Sequence, residues 1–320
     1  MPCMVTCVHD EGGGADEKAL VEILGRRTAA QRAEIRRAYA SLYKESLLTR
    51  LHGELSGHFQ KAMVLLATDP AERDAKLARE ALGRRGDDRD AWVLIEAACA
   101  AAPDHLVAVR RAYRSLHGSS LEEDVAACSA FQEPLRKVTT PGEEQSNPFQ
   151  SILLVSLVRS YRCAEESVDM DVAKLEAAQL AEAIRRKKQP HAGEVVRIVS
   201  TRSKPQLAAT FRCYKEQHGS DIEEDMKQYS SSQFARMLKI AVWCLTSPEK
   251  HFAEVIRYSI LGLGTDEDAL TRAIVSRADI DMKKIKQEYR VRFKTTVTDD
   301  VVGDTSGYYM DILLALVGKE

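Results

Sequence analysis

Aromatic side chains are scarce in this chain, at 6% of residues with only two tryptophans, and its 17 glycines and 9 prolines are thinly spread over 320 positions. That shortage, set beside abundant Ala, Leu, Arg and Glu, points away from a sheet protein and towards helix. Net charge is only −2, which leaves no global basic field to hold a nucleic acid. No CxxC pair occurs among the seven scattered cysteines, so neither a zinc site nor a dithiol redox motif is suggested, and reduced thiols in the cytosol are expected. The N-terminus has no basic region followed by an apolar run, so it does not read as a signal peptide. Apolar runs such as Ser151–Val158 are too short to span a bilayer. No GxxxxGK[ST], HExxH or GxSxG motif is present, and the reading is of a non-enzyme.

An internal repeat is present instead. Four segments share a hydrophobic helix, a polar turn and a second helix ending in tyrosine: Ala19–Tyr39, Trp92–Tyr113, Glu194–Tyr214 and Ala269–Tyr289. An arginine lies twelve residues before the tyrosine in three copies (Arg27, Arg202, Arg277), with Ala101 in the other. Tyr39 to Tyr113 spans 74 residues and Tyr214 to Tyr289 spans 75, whereas Tyr113 to Tyr214 spans 101. The excess has a visible source at 133–148, a charged, proline-containing stretch without periodicity that reads as a loop insertion. Apolar residues recur at helical spacing (Leu20, Ile23, Leu24; Ile35, Tyr39, Leu42), and no copy alternates as a strand would. The expected fold is all-α, four repeats of about five short helices each, at 1–67, 68–163, 164–247 and 248–320.

Two copies carry the same constellation. In the fourth, Gly262-Leu263-Gly264-Thr265-Asp266 is followed 38 residues after Asp266 by Asp304; in the first, Gly12-Gly13-Gly14-Ala15-Asp16 is followed 38 residues after Asp16 by Glu54. Glycines let a loop aim successive carbonyls at one point, and a distant carboxylate closes an all-oxygen site for a hard cation such as Ca2+. Such a loop is also an ordinary helix start, with Asp266 expected to cap. Two loops with an acid at one shared offset favour the cation site.

The fourfold unit, the Gly262–Glu267 loop with its downstream acid, and Ser200–Phe211 (STRSKPQLAATF) resemble the annexins. Asp69–Ala78 (DPAERDAKLA), Leu94–Cys99 (LIEAAC), Ser120–Val125 (SLEEDV) and Ser247–Phe252 (SPEKHF) are similar to plant annexins of the D3 type. The resemblance implies a curved, disc-like helical array whose convex face carries calcium sites for anionic phospholipid. It implies carbonyl ligands from Gly12 and Gly14 with Glu54, and from Ile260, Gly262 and Gly264 with Asp304. Leu261 and Leu263 are then placed to dip into the membrane interface. The implied role is a cytoplasmic adaptor in calcium and stress signalling, peripherally bound when calcium rises and self-associating on membranes. The helix before the first loop is shortened, so the Asp304 site is expected to dominate.

The remaining copies depart from the pattern. The second has Gly83-Arg84-Arg85-Gly86, with no acid near Ser129, and the third has Arg185-Arg186-Lys187-Lys188 without a glycine loop, so calcium is not expected there. Two readings of Arg84, Arg85, Arg186 and Lys187 stay open: direct contact with anionic headgroups, or basic residues suiting helix C-termini. The acidic runs Glu122–Asp124 and Glu223–Asp225 read as solvated helix faces or helix-start charge. His105, His117 and His218 read as structural, and Cys99 and Cys213 as core thiols. A protein-binding helical scaffold is the competing reading; it explains the repeats but not the paired loop and acid offsets.

Overall fold

The computed structural model describes residues 15–84, 88–131, 149–162, 167–230, 232–262 and 264–319, and among these it contains helices and turns but no strand. The helices run in four rounds. The first is α1 (Glu17–Leu24), α2 (Ala29–Tyr43), α3 (Leu47–Glu54) and α4 (Gly57–Ala67). The second is α5 (Pro70–Leu82), α6 (Asp88–Cys99), α7 (Pro103–His117), α8 (Leu121–Ala127) and α9 (Phe149–Arg159). The third is α10 (Met170–Ala181), which continues into a π-helical turn at Glu182–Arg186, then α11 (Gly193–Thr201), α12 (Lys204–His218), α13 (Ile222–Tyr229) and α14 (Gln233–Thr246). The fourth is α15 (Pro248–Ile260), α16 (Glu267–Arg277), α17 (Met282–Phe293), α18 (Val297–Asp304) and α19 (Gly307–Val317). The expected loop insertion falls between α8 and α9 and lies outside the described residues, as do residues 1–14, where a shortened first helix is expected.

Local chemistry sets the helix ends. Asp16 and Asp266 accept from the amides of Ala19 (2.9 Å) and Ala269 (3.0 Å), so both are N-caps as their position predicts. Thr28 with Gln31 and Ser120 with Glu123 form capping boxes. At the other end, α2, α7, α12 and α17 all stop on a left-handed residue: Lys44, Gly118, Gly219 and Lys294.

The chain packs as two compact units. One unites the first and fourth rounds, residues up to Arg73 with those from Glu249 onward; the other is Asp74–Pro248, the second and third rounds. In the first unit α4 and α19 pack on each other and on α16 and α1, and buried Arg32 reaches across from α2 to Asp279. In the second unit α14 packs on α6, α9 and α12. The four repeat tyrosines, Tyr39, Tyr113, Tyr214 and Tyr289, are among the largest fully buried side chains. Cys99 and Cys213 are buried as expected of core thiols.

Candidate functional site

The fourth-round loop is built to expose main-chain oxygens. The chain leaves α15 at Ile260 and is pulled back where the Asp266 amide donates to the Ser259 carbonyl (2.7 Å). Between those points Gly262 and Gly264 have φ of 133° and 96°, values that favour glycine. A Cβ at either position would meet open space, so it is backbone conformation, not crowding, that selects glycine here. Among the described residues no hydrogen bond reaches the carbonyls of Ile260, Gly262 or Gly264. The Thr265 hydroxyl donates to the Asp304 carbonyl (3.4 Å), tying this loop to the end of α18. The Asp304 side chain is exposed and forms no ion pair among the described residues.

Three free carbonyls and one free carboxylate are an all-oxygen donor set of the kind a hard cation selects. Among the described residues no group of three or more His, Cys, Asp or Glu converges as a metal site. The loop is flanked by exposed Leu261 and Tyr258; Leu263 lies outside the described residues.

The first-round counterpart differs at its acid. Glu54, half buried, is held by Arg50 at 3.1 Å on the same turn of α3. Gly12 and Gly14 lie outside the described residues. In the second round Arg84 is exposed and leans towards Asp90 (3.8 Å), while Arg85 lies outside the described residues. In the third, the helix closes in the π-turn at Arg186 and a turn without glycine follows: Arg186 pairs with Glu182 (2.8 Å), and Lys187 is exposed.

A family model described as Annexin matches residues 9–66, 176–240 and 251–316. The chain is 42% identical to Annexin D3 of Arabidopsis thaliana over 97% of its own length and 92% of that protein. The solved structure of annexin III superposes with a TM-score of 0.85 at 29% identity, covering 100% of this chain and 92% of that one. A calcium-bound crystal structure of annexin (Sm)1 superposes with a TM-score of 0.81 at 26% identity, covering 99% and 90%. The chain belongs to the annexin family. Annexins are generally non-catalytic proteins that bind phospholipid in a calcium-dependent manner.

One feature of this annexin corrects the reading of its acidic runs. Glu123 is helix-start charge, but Asp124 and Asp225 are not solvated. Asp124 accepts from Tyr113 (2.7 Å) and Ser119 (2.6 Å) and faces Arg79 (2.8 Å). Asp225 accepts from Tyr214 (2.6 Å) and Ser220 (2.9 Å) and faces Arg185 (3.3 Å). Asp300 repeats this with Tyr289, Thr295 (3.1 Å) and Arg257 (2.5 Å). The signal was present in sequence: an Asp eleven residues after each tyrosine, preceded by Ser or Thr at five. In the first round that position is Arg50, and Tyr39 donates instead to Glu45 (3.0 Å). Arg185 is therefore a structural arginine of this network.

Burial dominates the shift of these tyrosines, with the carboxylate contact second, and pushes Tyr39 and Tyr113 up to about 12. Burial also works against ionised Asp124, but hydrogen bonds from Ser119 and Tyr113 and the charge of Arg79 outweigh it and hold its carboxyl below the usual range.

Proposed function

We propose that this annexin binds Ca2+ mainly through the carbonyls of Ile260, Gly262 and Gly264 with the Asp304 carboxylate, and docks there on anionic phospholipid. The observation that carries the reading is the coincidence of three unpaired carbonyls and one unpaired carboxylate on two segments joined by the Thr265–Asp304 contact. When bound, calcium supplies positive charge and open coordination positions for a lipid phosphate oxygen. Leu261, half exposed at the loop tip, enters the interface beside it, together with Leu263.

The first-round site is weaker because Glu54 must leave Arg50 before it can ligate a metal. The second and third rounds take no calcium by this mode. Their exposed Arg84, Arg186 and Lys187, with Arg85, face headgroup phosphates directly, at about 1 kcal/mol each near an anionic surface. The functional repeats are proposed at 1–67, 68–163, 164–247 and 248–320. The protein then acts as a peripheral cytoplasmic adaptor in calcium and stress signalling, self-associating on the membrane and carrying no catalytic activity.

Cosedimentation with phosphatidylserine vesicles across a calcium titration tests this. Asp304→Ala is expected to abolish most calcium-dependent binding and Glu54→Ala to leave most of it; the reverse ranking would refute the assignment. Arg50→Ala frees Glu54 and is expected to lower the calcium needed by Asp304→Ala protein. Binding indifferent to calcium would favour the protein-scaffold reading.

A further inference from the structure

A cleft of about 380 Å³ opens beside Asp304 where α4 meets α19. Its walls are built from residue pairs 250 positions apart in the repeat, so the two sides are copies of one another: Glu17 with Glu267, His58 with Tyr308, Phe59 with Tyr309. The aromatic rings meet crosswise, Phe59 with Tyr308 (centroids 5.9 Å) and His58 with Tyr309 (5.7 Å). Tyr309 is fixed from behind, its hydroxyl within 2.9 Å of the Thr271 hydroxyl and donating to the Glu267 carbonyl (3.2 Å). Tyr308 is 40% exposed and forms the open lip.

No lysine or arginine is among the residues that line this cleft, while Glu17, Glu267 and Asp304 are, with His58 Nε2 3.7 Å from the Glu267 carboxylate. Glu17 and Glu267 are the first residues of α1 and α16, where a negative side chain suits the helix dipole. Helix-start charge alone does not account for the aromatic walls or for their opening beside the lipid-facing acid. Carboxylates set among aromatic faces are the chemistry that recognises an organic ammonium, and the volume suits a headgroup rather than an acyl chain.

We infer that this cleft is a subsite for the ammonium group of a phospholipid whose phosphate is held at the Asp304 site. The inference rests on the calcium reading above and adds a lipid preference to it. A headgroup carrying an ammonium next to its phosphate fills both places; glycerol fills only the first.

The test uses the full chain and two vesicle types of equal charge per lipid, phosphatidylserine alone and phosphatidylglycerol alone, each titrated with calcium. The wild type is expected to reach half-maximal binding on phosphatidylserine at a calcium concentration lower by on the order of fivefold, the scale of one ammonium–aromatic contact. Tyr308→Ala combined with Glu17→Gln is expected to remove that difference while leaving the phosphatidylglycerol curve in place, and Tyr308→Phe to retain it. An equal calcium requirement for both lipids in the wild type overturns the inference. So does a preference that survives in the double variant, because the serine carboxylate on calcium would then be its source. A loss of phosphatidylglycerol binding in the double variant also counts against it, since the change would reach beyond the ammonium. Calcium-independent binding to both vesicles would instead bring down the calcium reading, and the subsite with it.

Discussion

At the scale of single residues, one acid in each of three repeats holds more than its exposed neighbours suggest. Asp225 is almost fully buried and satisfies Tyr214, Ser220 and Arg185 at once. Removing a buried charge partner leaves the other members desolvated and unpaired. Asp225→Ala is therefore expected to cost about 3–5 kcal/mol, whereas Tyr214→Phe, which removes one hydrogen bond, costs about 1 kcal/mol. Urea unfolding of the two variants checks the ratio, and equal costs would place the carboxylate outside the core network. The same position bears on the calcium site proposed in the first repeat. With Arg50 in place of the aspartate, the arginine pairs with Glu54 (3.1 Å).

At the scale of helices, the helix that carries the repeat tyrosine in each round ends on a residue of positive φ, Gly118 (78°) and Gly219 (75°) in one compact unit, Lys44 (58°) and Lys294 (60°) in the other. A side chain in that conformation is strained by about 1 kcal/mol, because Cβ crowds the following carbonyl. Lys44→Gly is therefore expected to stabilise slightly, by about 0.5 kcal/mol after the entropy glycine adds to the unfolded chain. Gly219→Ala is expected to destabilise by about 1 kcal/mol. Thermal melts with opposite signs bear this out; melts of one sign would mean the caps relax. The π-turn at Glu182–Arg186 ends the third repeat's helix within one residue of where α15 ends in the fourth, and the turn that follows carries Lys187, Lys188 and Gln189 where the fourth repeat has Gly262, Leu263 and Gly264.

For the molecule as a whole, the titrating groups set a window of stability. Asp124 has its folded-state pKa depressed, so its contribution is present above the ordinary 3.8 and is lost as pH falls below it. His117 is also depressed, by burial first and then by Arg79, so protonation below 6.5 works against the fold. Tyr39 and Tyr113 are raised from 10.0 to about 12, so their contribution is complete below pH 10 and is lost as pH rises through that interval. Melting temperature is expected to be level between about pH 7 and 10 and to fall on both sides. Tyr113→Phe should shorten the alkaline descent; an unchanged descent would show that the tyrosines do not drive it. No single helix among the described residues is long and apolar enough to cross a membrane.

The helical class, the fourfold period and the Gly262–Asp304 offset were legible in the linear sequence because each depends on local spacing: apolar residues every three or four, glycines flanking a cap, an acid at a fixed remove. Even the Tyr–Asp interval of eleven was there, although its meaning was not, since acidic helix starts look alike whether they face water or a buried phenol. Only packing showed that Asp124, Asp225 and Asp300 turn inward, that Arg185 is spent on one of them, and that Arg50 occupies the acid of the first repeat. Packing alone also set Phe59 against Tyr308 across 249 residues of chain, making an aromatic cleft that no window of sequence contains. Spacing along a helix fixes which side chains share a face; which helix that face meets is decided by burial of the whole.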